Sequence, residues 1–175
     1  HPSWRYTTTQ GYCAVINDKF VDQRGIYLLS HSVGLPLQQA EVKAAEQYWQ
    51  PWYGADDGIW DRWLGTIEGF RHSLAVLLNT QVSNLCPQLS ISEAVSKVIF
   101  SLPQEPTKPV ILMSEEDFPS VAFALQQSRH LGYKMRYIPR GMDLNDLTVW
   151  DTYLSADVGV VLITQVQSNN GVQLP

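Results

Sequence analysis

The sequence predicts an α/β fold, a mostly parallel sheet with helices on both faces, and three observations predict it. From Leu85 onward, helix-like and strand-like segments alternate in order, the pattern that builds a parallel sheet through crossover helices. Val110-Ile111-Leu112-Met113 and Val158 to Ile163 are continuously apolar, as strands covered on both faces are. The 175 residues, 45% hydrophobic and 17% charged, suffice to bury a core, and the length predicts one domain.

Each element has its own signal. Ile26 to Leu29 is a short β-prone run that ends in Ser30-His31-Ser32-Val33-Gly34-Leu35-Pro36, where Gly and Pro mark a loop. Leu37 to Trp49 has helical composition, with Ala40, Val42, Ala44, Ala45 and Tyr48 among Gln, Glu and Lys, and Pro51 is expected to stop it. Ile59, Trp60, Trp63, Leu64, Ile67, Phe70, Leu74, Leu77 and Leu78 recur at three- and four-residue steps, which predicts a longer helix with one broad apolar face. The alternating part then reads as helix Ser92–Leu102, strand Val110–Met113, helix Pro119–Leu131, strand Met135–Ile138, helix Leu144–Ala156 and strand Val158–Ile163. Pro103 to Pro109 is short enough to be a helix-to-strand connection.

Charge and composition exclude several classes of function. A net charge of −5 without a Lys/Arg-rich run leaves no footprint for nucleic acid or an anionic membrane. No apolar stretch reaches the ~18–20 residues of a bilayer span, and a soluble cytoplasmic protein is expected. Cys13 and Cys86, far apart, suggest neither a disulfide framework nor a zinc knuckle. His31, His72 and His130 have no metal-ligand spacing, and no Walker loop, GxSxG or strand-linked GxGxxG is present. Asp56, Asp57 and Asp61 read as a solvated interhelical loop, and the tryptophans between Trp49 and Trp63 as core or subunit-interface packing.

In an open parallel sheet, ligands gather at the carboxyl ends of strands, where loops meet the positive ends of helices. Three loops qualify. Pro87 to Ala94 opens a helix with hydroxyls and free N–H groups suited to a phosphate, yet Ser90 followed by Glu93 is equally a capping box that needs no ligand. Ser114 to Ser120 places Phe118 where an aromatic ring can cover a planar ligand, or where it can staple the helix start. Gln165 to Gly171 either hydrogen-bonds a ligand or is a Gly-containing turn.

Taken in order, these segments resemble the class V aminotransferase superfamily of pyridoxal-phosphate enzymes, and within it the kynureninase-like branch, over most of the chain. Ile26-Tyr27-Leu28-Leu29-Ser30-His31-Ser32-Val33-Gly34-Leu35-Pro36 is similar to that branch's "YL…NSLGLxP" opening, with His31 where Asn is usual. Trp52-Tyr53-Gly54 with Gly58 and Trp60 is similar to the Trp/Gly-rich stretch that follows it. Glu116-Asp117-Phe118-Pro119-Ser120 with Ala124-Leu125-Gln126 resembles "FPSD…YALQ", and Val166 to Gly171 resembles the strand-end "HVxxxxG" or "QSNTG".

The resemblance implies the N-terminal half of the fold-type I pyridoxal-phosphate-dependent transferase large domain. It divides the chain into an arm and substrate-facing loop over 1–36, a helical segment over 37–80, and the first part of the cofactor-binding α/β domain over 81–175. It implies pyridoxal 5'-phosphate as cofactor of the full-length protein, an amino-acid substrate and a homodimer. Ile91-Ser92-Glu93-Ala94 matches the family's "ATEA", which turns the first loop into a phosphate cradle: Ser92, with Ser90 and Ile91 through backbone N–H groups. Phe118 becomes the residue stacked on the pyridine ring, and Ser168 or Asn169 falls near the cofactor's phenolic oxygen. His31 and Ser32 fall in the loop expected to face the substrate. Related desulfurases place a His over the ring within "EHH", and Phe118, which cannot transfer a proton, argues against desulfurase chemistry.

Such chemistry also needs a Schiff-base lysine and a carboxylate on the pyridine nitrogen. In the family both lie beyond the strand ending near Gly171, and none of Lys19, Lys43, Lys97, Lys108 and Lys134 occupies a matching place. The expectation is therefore a chain truncated before the Schiff-base lysine, without catalytic residues of its own, taken from an enzyme that transaminates or cleaves at the β-carbon. The alternative is a non-catalytic α/β remnant used for dimerisation or anion binding.

Overall fold

The computed structural model describes residues 19–21, 27–54 and 57–174. Where length predicts one domain, the chain divides into two units between Cys86 and Pro87.

The first unit is helical. Phe20 and Leu37 meet in an isolated antiparallel bridge. The strand read from Ile26 to Leu29 does not form over its described part, since Ile26 lies outside the described residues and Tyr27 to Leu29 join no ladder. The Leu29 carbonyl instead accepts the N–H groups of Ser32 and Val33 at 2.9 and 2.8 Å and turns the chain. Helix α1 (Ala40–Ala44) runs through a π-helical turn (Ala45–Trp49) into α2 (Gln50–Tyr53). The helix therefore passes the proline expected to end it: the wide turn resets the register and Pro51 falls in the first turn of α2, where no N–H is required. Helix α3 (Ile59–Leu77) follows. Trp63 is its link to the preceding helix, stacked on Tyr48 with ring centroids 5.0 Å apart and edge-on to Trp52 at 5.7 Å. Arg71 pins the chain beyond α3 by donating to the Val82 and Leu85 carbonyls at 2.8 and 3.1 Å.

The second unit holds α4 (Ile91–Ser101), β1 (Val110–Ser114), α5 (Pro119–Gln126), a 3₁₀ turn (Gln127–Leu131), β2 (Lys134–Ile138), α6 (Leu147–Tyr153) and β3 (Val158–Val161). The sheet is parallel with order β2-β1-β3. Every residue of central β1 is buried, and the two-residue period of a strand sends its side chains to opposite faces. Ile111 and Met113 pack with Ile99, Val121, Leu125 and Tyr133, beneath α4 and α5. Leu112 packs on the other face with Ile138, Leu144, Val149 and Leu174, beneath α6. Helices thus cover both faces, and the unbroken apolar run of β1 has its reason. Each such fully buried aliphatic side chain is worth about 1.5–3 kcal/mol.

β3 departs from the expectation of full cover: its residues alternate between half-buried and exposed, and it is an edge strand among the described residues. At its start lies a bulge, with Val110 opposite Val158 but Ile111 opposite Val160. The skipped residue is Gly159, where a Cβ would stand 2.3 Å from the Lys108 carbonyl oxygen.

Helix α6 is shorter than the predicted Leu144–Ala156. Asp146 caps it by accepting the Thr148 N–H at 2.9 Å, while Arg136 donates to the last carbonyl, Tyr153 O, at 3.1 Å. The Arg136 guanidinium also grips Asp157 at 2.8 Å, so β2, the end of α6 and the start of β3 share one cation. Hydrogen bonds from Arg136, then Ser155, hold the Asp157 carboxyl below its ordinary value of 3.8 against the opposing effect of burial. A depressed carboxyl stabilises the fold above its unfolded-state pKa and loses that contribution as pH falls through the folded-state value. Urea midpoints of the wild type should therefore fall more steeply below about pH 4 than those of Asp157→Asn. Parallel curves for the two proteins would refute this coupling.

No helix among the described residues is long and apolar enough to cross a membrane.

Candidate functional site

Because all strands run the same way, their carboxyl ends share one edge. The turn after β1 is stitched by its own side chains. The Ser114 N–H donates to Asp117 Oδ2 at 2.9 Å, the Asp117 N–H returns to the Ser114 carbonyl at 3.2 Å, and the Glu116 N–H donates to Ser114 Oγ at 3.0 Å. Ser114 and Asp117 are buried, and the tight turn leaves Phe118 56% exposed. That exposure decides against Phe118 as a staple sunk in the core. It occupies the N-cap position of α5, ahead of Pro119, and gives that helix start no side-chain cap.

The first loop meets this turn directly: Ser92 Oγ donates to Ser120 Oγ at 3.1 Å. Ser92 is in the first turn of α4 and Ser120 in the first turn of α5, so the positive ends of two helices come together. The capping box is formed in part, its Glu93 arm taking the Leu89 N–H, one residue before the cap, rather than that of Ser90. Ser90 Oγ accepts the Glu93 N–H at 3.2 Å, and the Glu93 carboxylate takes the Leu89 N–H at 3.3 Å. The Ser90 hydroxyl thus serves the helix, while the N–H groups of Ile91 and Ser92 are among the first-turn donors without an intrahelical carbonyl. Lys97, 2.7 Å from Glu93, holds that carboxyl below its ordinary range through a hydrogen bond, against burial.

The third loop is a glycine turn that also reaches the site. Val166 and Gln173 pair antiparallel, the Gln167 N–H donates to the Val172 carbonyl at 2.9 Å, and Gly171 has φ +71°. Asn169 Nδ2 donates to Glu116, in the turn after β1; Ser168 lies exposed beside it. The turn after β2 joins too, with the N–H groups of Arg140 and Gly141 donating to Glu115 at 3.0 Å and Glu116 at 3.2 Å.

The structure therefore brings together Ser90, Ile91, Ser92, Phe118, Ser168 and Asn169 along the carboxyl edge of the second unit. His31 and Ser32 belong to the first unit, in an exposed turn. Sequence reasoning missed Ser120, Glu116 and Arg140. Ser120 carried a legible signal, since a Ser directly after a first-turn Pro lies at a helix start. Lys108 precedes β1 and Lys134 opens β2, so both lie at the opposite end of the sheet. That end also holds an open cleft of about 310 Å³ lined by Glu105, Pro109, Tyr133 and Lys134, away from the strand-end loops. Among the described residues no group of three or more His, Cys, Asp or Glu is gathered to hold a metal.

These features define an open parallel α/β sheet whose loops converge at the carboxyl edge. The fold is that of part of a solved C-DES structure, a lysine-to-alanine mutant with glycine covalently linked to its PLP cofactor. The likeness has a TM-score of 0.74 at 15% sequence identity and covers 100% of this chain and 44% of the C-DES chain. The chain thus spans less than half the length of that structure. No protein-family model matches the sequence, and no curated protein matches it.

Proposed function

We propose that this chain is the N-terminal part of a pyridoxal-phosphate-dependent enzyme of the class V aminotransferase, kynureninase-like type. The whole enzyme acts on an amino acid, as a cytoplasmic homodimer, and this chain alone is not catalytic. The observation that carries the reading is the Ser92–Ser120 hydrogen bond, which joins two helix starts next to the exposed ring of Phe118. The donor set fits the cofactor. Hydroxyls of Ser92 and Ser120 and first-turn N–H groups of Ile91 and Ser92 are what a phosphate takes, and the flat face of Phe118 suits a pyridine ring.

Bound there, the cofactor supplies an electron sink for the bonds of an amino acid. The residues of this chain bind and orient. Ser92 and Ser120, with the N–H groups of Ser90, Ile91 and Ser92, would hold the phosphate, Phe118 would cover the ring, and Ser168 or Asn169 would approach its phenolic oxygen. Phe118 has no titratable proton, so it orients without exchanging protons. No residue of this chain is assigned the covalent anchor: Lys97 is committed to Glu93 and Gln88, and Lys108 and Lys134 belong to the far end of the sheet.

Thermal unfolding of Phe118→Leu with and without pyridoxal phosphate tests the reading. The substitution keeps most of the apolar volume, and at a half-exposed position it should move the ligand-free protein by well under ~1.5 kcal/mol. The stabilisation conferred by ligand should shrink, because only the flat face is lost. Phe118→His, which restores a flat ring, should recover binding without any release of sulfur from cysteine. Equal shifts in ligand-free and ligand-bound protein would remove Phe118 from the site. A wild type that pyridoxal phosphate does not stabilise would favour the non-catalytic alternative.

A further inference from the structure

Glu116 sits where the loops after all three described strands meet. Its side chain is 12% exposed, and its N–H is tied to Ser114 Oγ at the buried end of β1. Its Oε1 accepts the Gly141 N–H at 3.2 Å, from the turn after β2. Its other oxygen accepts from Asn169 Nδ2, from the turn after β3. Neighbouring Glu115 reaches only the first of these turns, through Arg140. Both captured turns are built on glycines in the left-handed region, Gly141 at φ +83° and Gly171 at φ +71°. Turns of this kind have little side-chain mass to fix them and depend on hydrogen bonds for their placement.

We propose that Glu116 is a positioning residue for the ligand-binding edge: by holding Gly141 and Asn169 it fixes the turns after β2 and β3 against the turn that carries Phe118. The proposal rests on the reading of this edge as a pyridoxal-phosphate site. Glu116 acts through Asn169 and the Phe118 turn. Hydrogen bonds do this work: Arg140 Nε, 3.8 Å from Oε1 on a side chain 73% exposed, adds an ion pair beyond hydrogen-bond reach that solvent screens. A glutamine keeps Oε1 for the Gly141 N–H and offers Nε2 to Asn169, whose amide can turn over to present Oδ1. An alanine offers neither.

The test uses the native protein that carries this sequence, as wild type, Glu116→Ala and Glu116→Gln. Each is titrated with pyridoxal phosphate, and amide exchange at Gly141 and Gly171 is followed without ligand. Glu116→Ala should bind about tenfold more weakly, with faster exchange at both glycines, whereas Glu116→Gln should stay within about twofold of wild type on both measures. That split between two variants of one position is what a purely electrostatic role would not produce. Equal weakening in both variants overturns the proposal, as does faster exchange in Glu116→Ala with unchanged affinity. Unchanged exchange in Glu116→Ala overturns the latch whatever the cofactor does. A wild type that takes up no pyridoxal phosphate overturns the site reading itself, a result separate from any failure of Glu116.

Discussion

Ser92→Ala should weaken pyridoxal phosphate binding by roughly tenfold to a hundredfold, the equivalent of one charge-assisted hydrogen bond of ~1.5–3 kcal/mol. The geometry makes the result specific, because the two serines of the first loop have separate tasks. Ser90 caps α4 through the Glu93 N–H, and Ser92 donates across to Ser120. Ser90→Ala should therefore cost helix stability, about 0.5–2 kcal/mol, with a small effect on affinity. Ser92→Ala should do the reverse. Titration of both variants, with melting curves of each in the absence of ligand, separates the outcomes. If Ser92→Ala lowers the melting temperature and leaves affinity unchanged, the hydroxyl pair is structural and holds no phosphate.

The largest effect on stability is expected at Gly159. An added methyl at 2.3 Å from the Lys108 carbonyl oxygen must push backbone against backbone, since no flexible side chain is there to yield. Overpacking of this kind costs about 1–3 kcal/mol, against which the reduced freedom of the unfolded alanine chain returns ~0.4–1 kcal/mol. Gly159→Ala should thus lower the denaturant midpoint. It should also displace β3, and with it the turn that carries Asn169 toward Glu116. A midpoint at or above that of the wild type would mean that the bulge opposite Val110 relaxes freely.

The alternating part of the fold was legible because its strands are unlike its helices in composition. Val110 to Met113 read as a buried strand, one residue short of the observed end, and the capping pair Ser90 and Glu93 marked the start of α4 to within a residue. Local rules failed where a longer-range partner intervened. Pro51 does not stop its helix because a π turn precedes it. Tyr27 to Leu29 have strand-like side chains but find no ladder. The candidate site divides in the same way. Ser92, Phe118 and Asn169 could be found because each lies just past a strand or at a helix start, a position readable along the chain. Pro119 marked Ser120 as lying at a helix start, but its partner, like those of Glu116, comes from another loop, and no spacing rule encodes such a meeting.

The order β2-β1-β3 also fixes a sequence of events in time. Among the described strands the central one is synthesised before both of its neighbours, so its five buried residues leave the ribosome ahead of the strands that flank them. Until Lys134–Ile138 has emerged, Val110–Ser114 has no strand to pair with, and until Val158–Val161 follows, one of its edges stays open. Parallel pairing across a helix is slow to nucleate, and an apolar strand held waiting is a point of vulnerability to association with other chains. The turn sealed by Ser114, Glu116 and Asp117 is local, so it can form at once and fix where the strand ends before its partners arrive.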